Sequence, residues 1–78
     1  MLTLHFITAD TKQEIPDIKS AKIHLASGLV KILPRHAPLI ATMEPGKMYI
    51  MREDGIKSFT IPSSGLLKVE KDVITVVS

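Results

Sequence analysis

Turn-forming residues recur about every eight to twelve positions along this chain, and nothing between them has the period of a helix. The breaks are Ala9-Asp10, Pro16-Asp17, Ser27-Gly28, the stretch from Pro34 to Pro38, Pro45-Gly46, Glu53-Asp54-Gly55 and Pro62-Ser63-Ser64-Gly65. Each is made of residues that favour turns for a physical reason: glycine reaches positive φ, proline fixes φ, and aspartate or serine bonds its own backbone. Segments of this length accommodate strands of about five or six residues, and with no ten-residue helical pattern among them helix is expected to be nearly absent.

The segments alternate as half-buried strands do. Leu2, Leu4 and Phe6 stand against Thr3, His5 and Ile7, and Ala21, Ile23 and Leu25 against Lys22, His24 and Ala26. Met48, Ile50 and Arg52 stand against Lys47, Tyr49 and Met51, and Glu53-Asp54-Gly55 then turns the chain into Ile56–Ile61 as a hairpin. Leu66, Lys68 and Glu70 against Leu67, Val69 and Lys71 lead through Asp72 to Val73–Val77, a second hairpin. The pattern predicts an all-β fold, a β sandwich or flattened barrel of two antiparallel sheets.

The chain has 78 residues, enough for one domain over 1–78 that buries only about 60 to 65% of its unfolded surface. Little core is left over for a buried catalytic pocket. With no cysteine there is neither a disulfide framework nor a thiolate metal site, which fits a reducing, intracellular compartment. The longest apolar runs, such as Val73–Val77, fall far short of the roughly 20 residues that span a bilayer, and Met1 to His5 begins no signal peptide. Ten cations against eight anions give a net charge of +2 without a run of like charges, so neither a nucleic-acid tail nor a polybasic membrane patch is expected.

Residues that could carry chemistry are few. His5, His24 and His36 lack the spacing of a metal site, and no metal is expected. Ser63 and Ser64 precede a glycine outside any Gly-x-Ser-x-Gly elbow. Glu44, Glu53, Asp54 and Glu70 fall at strand ends and turns, where carboxylates stay solvated. Gly28, Gly46, Gly55 and Gly65 are isolated, so no phosphate-cradling loop is present and no cofactor is expected. Methionines at 43, 48 and 51 are core fillers first, with Met51 the candidate for a contact surface. Oligonucleotide binding by a small β-barrel is the alternative reading. It needs several exposed aromatics, each contributing about 1 to 3 kcal/mol, and this chain has Phe6, Tyr49 and Phe59, two of them at core positions.

One stretch is unlike the rest. Leu33-Pro34-Arg35-His36-Ala37-Pro38-Leu39 is stiffened by two prolines, each of which also pushes the residue before it, Leu33 or Ala37, out of the helical region. A rigid loop that raises a cation and an imidazole above apolar neighbours is suited to contact. With Gly28, Ile32-Leu33-Pro34, His36-Ala37-Pro38-Leu39, Pro45-Gly46, Ser64-Gly65-Leu66-Leu67-Lys68-Val69 and Val73-Ile74-Thr75-Val76-Val77 in this order, the chain resembles the amino-terminal β domain of the epsilon subunit of F-type ATP synthases, called delta in mitochondria. The likeness extends over essentially the whole chain.

The resemblance implies a sandwich of two packed antiparallel sheets. It also implies a non-catalytic rotor component of the central stalk, linking the gamma subunit to the membrane ring of c subunits and coupling ion transport to ATP synthesis. Carried over by position, Thr8, Arg35, His36, Ala41 and Thr42 face gamma, while Gly28, Leu29, Val30 and Lys31 face the c-ring. The family commonly has an acidic residue and a second glycine where Leu29 and Lys31 stand, and glycine is frequent where Arg35 stands. Members generally continue into a carboxy-terminal helical hairpin; the residues here reach Ser78, and the resemblance assigns the hairpin's inhibitory role to none of them. The implied location is peripheral, at the cytoplasmic face of the bacterial inner membrane, with membrane association only through the complex and no nucleic-acid partner.

Overall fold

A computed structural model describes residues 1–61 and 63–78. Pro62, placed in a turn by the sequence, lies outside the described residues. The described chain consists of eight strands and no helix: β1 (Leu2–Ile7), β2 (Lys12–Leu25), β3 (Gly28–Ile32), β4 (Leu39–Met43), β5 (Gly46–Arg52), β6 (Gly55–Ile61), β7 (Gly65–Glu70) and β8 (Val73–Val77). Both hairpins expected from the sequence form. The β5–β6 pair closes on Glu53-Asp54, with Arg52 opposite Gly55. The β7–β8 pair turns on Lys71 and Asp72, whose φ values of 51° and 62° give the twist a two-residue connection demands without using glycine.

One expected break does not occur. Pro16-Asp17 interrupts no strand; β2 runs through it for 14 residues. Asp17 takes φ 58°, and the register slips on both flanks: β1 pairs Leu2 with Ile18 but Leu4 with Ile15, and β5 pairs Arg52 with Ile18 but Met51 with Ser20. These are bulges, where an extra residue is left unpaired and the strand bends. A proline without a donor is tolerated in such a place. The bend lets one strand serve two layers. The first half of β2 pairs with β1, in a sheet continued by β8, β7 and β4, and the second half pairs with β3 and β5, the latter continued by β6. Leu25 opposite Met43 joins β2 to β4 at the seam.

The sandwich is the fold the alternation predicts, and one pair within it runs parallel: β1 with β8. That pairing brings residues near the two ends of the sequence side by side, which period-two alternation does not report. Between the layers lie Leu2, Leu4, Phe6, Ile18, Ala21, Ile23, Leu25, Ile32, Met43, Met48, Ile50, Ile61, Leu67, Val69, Ile74 and Val76. They stack as cross-strand rows, for example Leu39–Val69–Ile74–Leu4 and Ala41–Leu67–Val76–Phe6. Phe59 packs on this core beside Phe6, ring centroids 6.0 Å apart. Burying each such side chain contributes about 1.5 to 3 kcal/mol.

Candidate functional site

The outward face of the β4–β7–β8–β1 layer follows from its registers. Thr42, Leu66, Val77 and Ile7 lie in one row across four strands, and Ile40, Lys68, Thr75 and His5 in the next. Ile40 is 70% exposed, and Leu66 and Val77 are exposed as well. The result is an apolar band that solvent does not favour. The sequence-based site residues missed Ile40, Leu66 and Val77. A signal was present: Ile7 and Leu66 are apolar residues on sides of the alternation otherwise occupied by Thr3 and His5, or by Lys68 and Glu70.

The five residues expected to face gamma border this layer in different ways. Thr42 is on the band itself. Thr8 follows Ile7 and closes the β1–β2 turn, its hydroxyl accepting from the Thr11 amide at 3.0 Å and lying 2.7 Å from the Thr11 hydroxyl. Ala41 shares the inward row with Leu67 and packs against the core, so it presents backbone rather than side chain to the outside. Arg35 and His36 sit in the proline loop beyond the Leu39 end of β4, which lies about 10 Å from Thr42 along the strand at roughly 3.3 Å per residue.

The proline loop is held by the β7–β8 turn. The Arg35 amide donates to Asp72 Oδ1 at 2.7 Å, and the carbonyl of Asp72 accepts from the Thr3 amide at 2.9 Å. Within the loop the His36 amide donates to the Leu33 carbonyl at 3.1 Å, and His36 Nδ1 lies 2.6 Å from the Ala37 carbonyl. Arg35 has φ 66°, a left-handed conformation in which glycine is at ease and a longer side chain is strained. Arg35 projects into solvent as expected, whereas His36 is half-buried.

The residues expected to face the c-ring begin β3. A two-residue turn, Ala26-Ser27, brings Gly28 opposite Leu25, with φ 130° at the glycine. Alternation then separates the four. Leu29 and Lys31 face outward, opposite His24 and Lys22, while Val30 lies opposite Ile23 and packs on the core. Leu29 and Lys31 help line an open groove of about 420 Å³ with Ser20, Lys22, His24, Tyr49, Met51 and Ile56. Leu29 is 59% and Ile56 64% exposed, so this second face is also partly apolar. The two faces are the outer sides of the two layers.

The histidines lie on β1, β2 and the proline loop, and among the described residues no three His, Cys, Asp or Glu side chains gather. His5 pairs instead with Glu14 across the β1–β2 ladder at 3.0 Å. Of the three aromatics only Tyr49 is exposed; Phe6 is buried and Phe59 half-buried, which leaves one ring for the stacking an oligonucleotide requires.

A family model for the ATP synthase delta/epsilon chain β-sandwich domain matches residues 1–78. Among curated relatives, the ATP synthase epsilon chain of Polaromonas naphthalenivorans is 32% identical over 80 residues, spanning 100% of this chain and 58% of the relative. That of Nitrosococcus oceani is 43% identical over 51 residues, spanning 65% of this chain and 36% of the relative. The chain thus covers well under two thirds of the length of these relatives. In a solved structure of the Euglena gracilis mitochondrial ATP synthase, described as containing OSCP, F1 and c-ring, one chain superposes with a TM-score of 0.88 at 20% identity, covering 99% of this chain and 49% of that one. A chain of the Tetrahymena thermophila mitochondrial ATP synthase central stalk and c-ring superposes with a TM-score of 0.74 at 13% identity, covering 99% of this chain and 63% of that one. Eight strands, two outward faces and the sequence match over 1–78 together make the chain a member of the ATP synthase delta/epsilon family, in the part that forms its β-sandwich domain.

Proposed function

We propose that residues 1–78 form a single epsilon-type domain that acts as a non-catalytic rotor component of an F-type ATP synthase. It joins the gamma subunit to the ring of c subunits and supports the coupling of ion transport to ATP synthesis. The observation that carries this reading is the pair of partly apolar outer faces on one sandwich: the Ile40–Leu66–Val77 band on one layer and the Leu29–Tyr49–Ile56 groove on the other. A body with two opposed contact faces and, among the described residues, no cluster of three His, Cys, Asp or Glu side chains is suited to connect rather than to react. Gamma is assigned to the band, bordered by Thr8, Thr42 and the Arg35-His36 loop, and the c-ring to the end of the groove at Gly28 to Lys31. On this reading the chain is peripheral, at the cytoplasmic face of the bacterial inner membrane, and reaches the membrane only through its partners.

The test is association with the cognate gamma subunit. Wild-type chain is expected to co-elute with gamma at micromolar concentration, through an interface on the order of 1,200 to 2,000 Å². Replacing Ile40 and Leu66 by serine should abolish co-elution while the denaturant midpoint changes little, because both side chains already face solvent. Failure of the wild-type chain to co-elute would sink the rotor reading, and an unimpaired double variant would remove the band from it.

A further inference from the structure

Ala21, Ile23 and Leu25 point into the core, so Ser20, Lys22 and His24 alternate onto the outer side of β2. Lys22 and His24 are exposed there, whereas Ser20 is only 6% exposed and lines the groove of about 420 Å³. Among the described residues no group hydrogen-bonds its hydroxyl, and a buried hydroxyl without a partner costs stability. Lys22 lies directly across from Lys31 on β3, a pairing of like charges that destabilises a sheet. Among the described residues the ion pairs are His5–Glu14 and Lys68–Glu70, and no carboxylate lines the groove. Three donors without an acceptor thus meet at one point. Beside them β5 and β6 present Tyr49, Met51 and Ile56, with Met51 in register with both Ser20 and Ile56.

We propose that the groove is a small-molecule site for an amphipathic carboxylate of the medium-chain fatty acid class. The carboxylate accepts from the Ser20 hydroxyl and from the Lys22 and Lys31 ammoniums, charge-assisted bonds that supply all three with a partner. The hydrocarbon chain crosses β5 and β6 over Tyr49, Met51 and Ile56. Two interstrand spacings, about 10 Å, separate β2 from β6, a reach that suits a chain of about ten carbons. Clefts of about 300 to 1,000 Å³ that are mostly apolar, with a few placed polar groups, are the kind that small ligands occupy. A membrane surface fits less well, since anionic bilayers draw clusters of about four to eight cations, and two lysines line this groove. The site belongs to the chain by itself and does not depend on the rotor reading.

The test titrates the chain with decanoate, kept below its micellar concentration, and follows backbone amide shifts by NMR. Saturable shifts are expected at Ser20, Lys22, Lys31, Tyr49, Met51 and Ile56. Replacing Lys22 and Lys31 together by glutamine should weaken binding about tenfold, and decanol, which keeps the chain and lacks the charge, should bind the wild type about tenfold more weakly than decanoate. Ser20→Ala should weaken decanoate binding about threefold. The denaturant midpoint of the free Ser20→Ala chain should stay level or rise, because its hydroxyl has no bond within the described chain to lose. Shifts centred on the Ile40–Leu66–Val77 band, no saturable binding, an affinity unchanged in either variant, or decanol binding as tightly as decanoate would each overturn the proposal. Binding to phosphatidylglycerol vesicles through the two lysines, without binding of decanoate, assigns them to a bilayer and also overturns it. None of these outcomes bears on association with gamma, so the rotor reading stands or falls separately.

Discussion

Gly65 has no room for a methyl group: a Cβ placed there overlaps the Val77 carbonyl oxygen, a backbone atom that cannot swing aside. Gly65→Ala is therefore expected to cost about 1 to 3 kcal/mol, read as a lower denaturant midpoint with an unchanged m-value. The sequence marks this glycine as part of a turn, whereas it begins β7, and the close approach of the far end of β8 leaves no local trace in the sequence. Arg35 is the converse case. Its left-handed φ makes Arg35→Gly neutral to stabilising by up to about 1 kcal/mol in urea titrations, because removing the Cβ strain outweighs the added freedom of the unfolded chain. Asp72→Ala removes the acceptor of the Arg35 amide and should cost about 1 to 2 kcal/mol, with faster hydrogen exchange in the proline loop. The two prolines marked the loop in the sequence. Its anchor was hidden because Asp72 lies 37 positions further along the chain.

Strands were the most legible elements, because each needs only its own alternation to be read: Leu2, Leu4 and Phe6, or Ala21, Ile23 and Leu25, all point inward as the period of two requires. Their partners were less so. The bulge at Asp17 reads locally as a turn, since proline and aspartate favour both, and only pairing with β1 and β5 decides between them. Face assignment had the same limit: Leu29 and Lys31 were grouped with Val30 by position, whereas the pleat turns Val30 into the core. Edge strands carry a hazard of their own, since their unpaired backbone groups invite other chains. On edge strand β6, Lys57 lies in register with fully buried Ile50 yet is exposed, placing a charge where further strand addition would bury it. Lys57→Ile is expected to leave the monomer folded at low concentration and drive association as concentration rises, measured by light scattering against wild type.

At the scale of the molecule, stability rests on a thin core. Ile74→Ala should cost about 2 to 5 kcal/mol against a total of about 5 to 15 kcal/mol for a native domain, so much of the variant should be unfolded near physiological temperature by circular dichroism. Millimolar ATP should leave the Tm of the wild type unchanged, as no isolated glycine forms a phosphate cradle and ligands raise Tm only by binding the folded state. The family was legible from the ordered motifs. The apolar band was not, because Thr42, Leu66, Val77 and Ile7 come from four strands and become neighbours only through the long-range registers. The parallel pairing of β1 with β8 sets the order in which this chain can mature on the ribosome. Leu4 and Phe6 are synthesised about 70 positions ahead of their ladder partners Ile74 and Val76. The first strand must wait, its apolar side uncovered, until β8 has cleared the exit tunnel. Nascent chains stalled before β8 emerges should therefore remain open to protease and to holdase chaperones, with protection arriving in one step once it is out.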